Sequence, residues 1–103
     1  MATESRNRAT IAVADIQERV LPVLRRHGIK RAGIFGSVAR GEATPESDVD
    51  VLVELDRQAS LLDFIGVKLD LEDALGRRVD LVEYAAVKPR LRDRILREEV
   101  PVL

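Results

Sequence analysis

Asp48 and Asp50 flank Val49 at the head of an alternating run, Asp48-Val49-Asp50-Val51-Leu52-Val53-Glu54-Leu55. On an extended strand residues i and i+2 share one face with Cα atoms about 6.5 Å apart, so both carboxylates can reach one hard cation. Val49, Val51 and Val53 take the opposite face, which leaves the two acids on the side away from a valine core. A solvated strand face after the Pro45-Glu46-Ser47 turn would account for the same pair without a metal. A third acid, Asp80, stands between Val79 and Leu81. A charge there fits an edge strand, a pairing with Arg77 or Arg78, or a chemical use. Three carboxylates at strand ends could hold two Mg²⁺ ions, polarising a triphosphate on one side and activating a hydroxyl on the other. Upstream, Gly36-Ser37 closes the apolar run Ala32 to Gly36. Glycine permits close backbone approach and serine can cap a following helical turn, so the N–H groups at such a junction can meet phosphate oxygens. The other phosphate loops fail: Gly36-x-x-x-x-Gly41 continues into Glu42-Ala43 where a Walker loop needs Lys and Ser or Thr, and no GxGxxG follows a strand.

These residues need a scaffold, and the apolar spacing supplies one. Val13, Ile16, Val20 and Leu24 recur every three or four residues and predict a helix from Thr10 to His27 closed by Gly28, with Pro22 kinking or splitting it. Ala32 to Gly36 and Val49 to Leu55 read as strands. Ser60 followed by Asp63 forms a capping box that opens a helix carrying Leu62, Ile65, Leu69 and Leu75, and Gly76 ends it. Arg78 to Tyr84 reads as a third strand, and Pro89 starts a last helix through Glu99 with Leu91 and Ile95 inward. His27, the single histidine, reads as a cap on the dipole of the first helix. The apolar end Val100-Pro101-Val102-Leu103 either folds back as an edge strand or joins a neighbour, and association is the reading preferred here. The order of elements implies an α/β domain on a small sheet of about three strands.

With 103 residues, 46% of them hydrophobic, the chain suits a single domain spanning 1–103, with 1–9 expected to be flexible. The absence of Cys and the lone His exclude a disulfide framework, a thiolate nucleophile and a Cys/His zinc site, so any metal must be held by oxygen. No apolar stretch approaches the roughly 18 residues of a membrane span, and the first residues lack a signal-peptide core, which reads as cytoplasmic. The net charge of −1 disfavours a general polyanion binder, making direct nucleic-acid binding an unfavoured reading. That near-zero total conceals an acidic block. Residues 42–86 carry 12 acidic and 4 basic groups, against 3 and 8 in residues 1–41 and 3 and 5 in residues 87–103. Basic segments that flank a carboxylate block suit a cation site with an anionic ligand, although a solvated face gives the same pattern. Lys88, Arg90, Arg92, Arg94 and Arg97 make the last helix basic.

Gly36-Ser37, Arg40-Gly41-Glu42, Ser47-Asp48-x-Asp50 and Asp80 together resemble the GSxxRGE, SDxDxxV and later Asp pattern of the minimal nucleotidyltransferase proteins of the polymerase-β superfamily. The resemblance covers nearly the whole chain, including the first helix with its His-Gly end. It implies an α+β nucleotidyltransferase fold with a small mixed sheet flanked by helices. It further implies that Gly36 and Ser37 bind nucleotide phosphates, that Asp48 and Asp50 bind metal, and that Asp80 binds metal and the incoming hydroxyl. Arg40 and Ser47 match nucleotide-binding motif positions, as a phosphate contact and a turn support. Members of this size resemble antitoxins paired with a HEPN-domain ribonuclease, neutralised by AMP transfer from ATP to a tyrosine hydroxyl with Mg²⁺. Two alternatives stay open: a non-catalytic antitoxin acting by occlusion, and a transferase for a small molecule or RNA. A homo-oligomer is compatible with all of these.

Overall fold

The computed structural model describes residues 12–103. Helix α1 spans Val13–Arg26 and strand β1 Ala32–Phe35, followed by a single helical turn, α2, at Gly36–Ala39. Strand β2 is Val49–Val53, helix α3 Leu61–Leu75 and strand β3 Val79–Glu83. A 3-10 turn at Tyr84–Ala86 leads to helix α4, Pro89–Glu98, and a short strand β4, Val100–Pro101. The four strands form one mixed sheet in the order β3-β2-β1-β4, with β1 antiparallel to both β2 and β4 and β2 parallel to β3. The α3 crossover gives the parallel pair the long connection it requires.

Strand alternation divides the sheet into two faces. Val49, Val51, Val53, Val79 and Leu81 point to one face, where they join Ile16, Val20 and Leu24 of α1 and Val67, Leu71 and Leu75 of α3 in the main core. Leucine, isoleucine, valine and alanine make up the buried part of this core, and the part-buried Phe64 packs against it. On the other face, Gly33 lies opposite Leu52, and Leu52 is fully buried. Gly33 has no room for a side chain, because the Glu99 carboxylate occupies the space a Cβ would take. The Tyr84 hydroxyl donates to that carboxylate, and the Arg31 guanidinium lies 3.9 Å from the centre of the Tyr84 ring.

Several sequence expectations need correction. The sheet has four strands, because the C-terminal residues form an edge strand instead of an association tail. Gly33 and Ile34 of β1 pair with Pro101 and Val100, the N–H groups of Val102 and Leu103 donate to Ala32 O, and both side chains pack against the core. The predicted start of the first helix at Thr10 and the segment 1–9 lie outside the described residues. Helix α1 runs through Pro22 as one element, since burial of Val20 on one side and Val23 and Leu24 on the other holds both halves to the same core. On α3 the inward residues are Val67, Leu71 and Leu75, whereas Leu62, Ile65 and Leu69 face outward. Helix α4 buries no residue fully, and Leu91 is exposed instead of inward. His27 is the C-cap residue of α1, as expected, and in addition its Nε2 lies 2.7 Å from Asp70 Oδ2 and ties the end of α1 to α3. The capping box at Ser60 and Asp63 forms as expected, with both reciprocal bonds present.

Deletion of residues 100–103 is therefore expected to act on stability. It removes the β4 ladder, two donors to Ala32 and the part-buried Val102 and Leu103, a loss of about 2–3 kcal/mol from the apolar area alone. Thermal unfolding should show a melting temperature lower by roughly 10 °C or more. An unchanged melting temperature would contradict the edge-strand role.

Candidate functional site

The strands bring two of the three predicted acids together. In the β2–β3 ladder Asp50 and Asp80 are direct register partners, and in the β1–β2 ladder Asp50 is paired with Phe35, the residue before Gly36. One end of the sheet thus collects the end of β1, α2, and the starts of β2 and β3. Asp50 and Asp80 project to the face opposite the main core, because their neighbours Val49, Val51, Val79 and Leu81 fill that core. β3 is an edge strand, which leaves Asp80 exposed to solvent. Asp48 stands exposed just before β2.

Asp50 is half-buried and its carboxyl is pushed up to about 6. Burial is the main cause; the charges of Asp80 and Asp48 add to it, and Arg40 opposes them. A carboxylate with this environment is short of positive charge.

Gly36 is required here for two reasons. Its φ of +71° lies in the left-handed region, and a Cβ at this position would collide with Asp50 Oδ2. The backbone of α2 can therefore sit directly against the Asp50 carboxylate only while residue 36 lacks a side chain. Ser37 follows within the α2 turn.

Arg40 and Ser47 are placed differently from each other. Arg40 caps the end of α2 and is held by two acids, with Nε donating to Glu42 at 3.0 Å and Nη1 to Glu98 of α4 at 3.1 Å. Glu98 also meets Arg94, so α4 is tethered to α2 through a short chain of charges. Ser47 supports the turn before β2: its Oγ accepts from Thr44 N at 2.9 Å, and its own N–H donates to Thr44 O. Sequence reading missed Arg77, which does not pair with Asp80. Its Nη1 donates to the carbonyls of Thr44 and Ser47, both at 3.3 Å, and so clamps the turn that delivers Asp48. Glu72 was missed as well; its carboxylate accepts from Val79 N at 3.0 Å and fixes the start of β3.

The donor set is all oxygen, which suits a hard cation and not zinc or copper. Among the described residues no group of three or more His, Asp or Glu side chains already stands as a closed metal cage. A cavity of about 260 Å³ lined by Arg31, Tyr84, Arg92 and Leu96 lies toward the other end of the sheet, away from these acids.

Residues 18–102 match the nucleotidyltransferase domain family. The chain belongs to that family. Among relatives of this nucleotidyltransferase domain is the protein adenylyltransferase MntA of Thermococcus cleftensis, 47% identical over 77 residues, which are 75% of this chain and 78% of that one. A solved structure provisionally assigned as a minimal nucleotidyltransferase superposes with a TM-score of 0.75 at 47% identity, over 86% of this chain and 91% of that one. The fold also recurs at 17% identity and a TM-score of 0.67 in a complex of tri-AMPylated Shewanella oneidensis HEPN toxin with MNT antitoxin, over 87% of this nucleotidyltransferase chain and 71% of the other. No helix among the described residues is long and apolar enough to cross a membrane.

Proposed function

We propose that this protein is an adenylyltransferase antitoxin that moves AMP from ATP to a tyrosine hydroxyl of a HEPN ribonuclease partner. The observation that carries the reading is the Asp50–Asp80 register pair beside Gly36, with Asp48 two residues before it. The names of the MntA relative and of the AMPylated toxin complex support the acceptor class.

Asp48 and Asp50 would hold Mg²⁺, with Asp80 sharing it; the cation supplies charge neutralisation at the phosphates. Gly36 and Ser37 take the phosphate oxygens, and the absence of a Gly36 Cβ keeps their backbone directly beside the Asp50 carboxylate. Asp80, exposed on the edge strand, is the carboxylate an incoming macromolecule can reach. It orients the acceptor O–H and receives its proton as the oxygen attacks the α-phosphorus. The bond from the α-phosphorus to the bridging oxygen breaks, pyrophosphate leaves, and the adenylyl group ends on the acceptor oxygen. Positioning and charge neutralisation carry such a reaction. Arg40, held by Glu42 and Glu98, is near enough to lower the Asp50 carboxyl and stands where it would meet phosphate charge.

Mass spectrometry of the HEPN partner after incubation with the protein, ATP and Mg²⁺ tests the reading. A gain of one or more adenylyl masses, lost on omission of Mg²⁺, is expected. Partner inactivation without a mass change would favour occlusion, and transfer to RNA or a small molecule alone would replace the acceptor class. Asp80→Asn should reduce transfer by roughly 10²–10⁴-fold while calorimetric ATP affinity changes far less. Equal losses would make Asp80 an ordinary cation ligand.

Arg77→Ala supplies a further check, because Arg77 touches no reacting group. Loosening the Thr44–Ser47 turn should raise the Mg²⁺ concentration for half-maximal transfer by roughly 10-fold, as loss of an outer partner of a metal ligand does. A change in rate alone, with the Mg²⁺ requirement constant, would remove Arg77 from this role.

A further inference from the structure

Two arginines face the cavity of about 260 Å³ at the end of the sheet remote from the acids. Glu54 lies four residues beyond Asp50 and Tyr84 four beyond Asp80, so about 13 Å of strand separates this cavity from the candidate site. A molecule bound here leaves Gly36 and the three acids free.

Among the described residues neither Arg31 nor Arg92 forms an ion pair. Both guanidinium groups are nevertheless held in place. Arg92 Nη2 donates to Val87 O at 3.2 Å, and the Arg31 guanidinium lies 3.9 Å from the centre of the Tyr84 ring. Each guanidinium has five N–H donors, so both keep donors for a ligand. The Tyr84 hydroxyl is committed to Glu99, which leaves the ring to the cavity as an apolar wall. Glu54 on the same lining sets the charge that fits. Two arginines and one carboxylate leave a single positive charge, which matches a monoanion and repels the second charge of a phosphate dianion. The planar fork of arginine matches a carboxylate head.

The remaining walls ask for an apolar body. Val87, Ile95 and Leu96 are aliphatic, and Leu96 is 38% exposed because nothing in the chain covers it. A ligand that covers these side chains gains from their removal from water. A cavity of roughly 150 Å³ holds benzene, so about ten non-hydrogen atoms fit here.

We infer that this cavity binds a medium-chain monocarboxylate, its head held by Arg31 and Arg92 and its methylene chain laid against Val87, Ile95 and Leu96. The inference goes beyond the transfer reading and is independent of it, since its test contains no ATP, cation or protein partner.

The probe is octanoate, whose ten non-hydrogen atoms match the volume. Titrated into the isotopically labelled full chain and followed by amide chemical shifts, it should saturate with a Kd of about 0.1–1 mM and move Arg31, Tyr84 and Leu96 most. Octanol supplies the body without the head, and inorganic phosphate the charge without the body. Each should bind at least about 10-fold more weakly. Arg92→Gln and Leu96→Glu should each weaken octanoate by roughly 10-fold or more with an unchanged circular dichroism spectrum, both side chains being exposed. Arg90→Gln removes the same charge from the same helix outside the cavity, and should bind as the wild type does. Shifts that stay linear to about 5 mM, or that centre on the exposed Leu62 and Leu69 of α3, overturn the inference. So does octanol or phosphate binding as tightly as octanoate, or an equal loss in Arg90→Gln and Arg92→Gln.

Discussion

Asp50→Asn is expected to abolish adenylyl transfer while making the metal-free protein more stable. The two effects have one origin. Asp50 ionises in the unfolded chain near 3.8, but in the fold burial and the charges of Asp80 and Asp48 hold its carboxyl at about 6. Below about pH 4 the carboxyl is neutral in both states and costs nothing. Between about pH 4 and pH 6 the unfolded chain ionises while the fold still holds the proton, so stability falls as pH rises, and the penalty is fully present at pH 7. Asp50 is only half-buried, so solvent screening reduces the penalty to on the order of 1 kcal/mol. Asparagine removes it, and with chelator present the melting temperature at pH 7 should rise by roughly 4–8 °C. The wild type should lose stability between about pH 4 and pH 6 by an amount the variant does not. Transfer should fall by roughly 10³-fold or more, because a neutral amide cannot supply the charge a hard cation needs. A variant that is less stable without metal, or that retains a tenth of the activity, would contradict the charge assignment.

Gly36→Ala should be the most damaging single methyl group in the domain. The left-handed φ of +71° costs a non-glycine residue about 1–2 kcal/mol. The added carbon also meets Asp50 Oδ2, so either α2 or the carboxylate must move. A displacement near 1 Å at the reacting centre is worth roughly 10²-fold in rate. Gly41→Ala separates the two costs. Gly41 has a φ of +73°, but nothing lies within 4 Å of where its Cβ would stand. Gly41→Ala should lose the backbone cost alone in chemical denaturation, Gly36→Ala at least as much, and only Gly36→Ala should lose transfer. Similar activity in both would mean that α2 does not have to approach Asp50.

Much of the site was legible because charge in an apolar run is costly unless used. Asp48, Asp50 and Asp80 stand out by type, and the Gly36-Ser37 junction by its position after a strand. Their mutual register was not legible, since the pairing of Asp50 with Asp80 depends on an α3 crossover whose packing no local spacing encodes. Arg77 escaped for a different reason. It binds two backbone carbonyls, and a carbonyl leaves no trace in a sequence. The inward face of α3 was not legible because the helix is apolar on two sides, so that periodicity alone offers two stripes and burial chooses between them. β4 escaped because two paired residues carry no alternation to recognise, and the proline in it argues against a strand until the edge position is known. Pro22 shows the reverse case, in which a strong local signal for a break yields to the apolar residues on both sides.

The hydroxyl of Tyr84 donates to the Glu99 carboxylate that fills the space over Gly33, and burial together with that carboxylate holds the phenol protonated by pushing its pKa upward. Tyr84 is the single tyrosine, and the chain has no tryptophan. Its ultraviolet emission therefore comes from one place, the seam where the end of β3 meets the segment joining α4 to β4. A carboxylate accepting from the phenol quenches that emission. Any opening of the seam should brighten the protein without a label, giving an optical record of whether ATP or the cation moves the layer that lies on the same face as the acids.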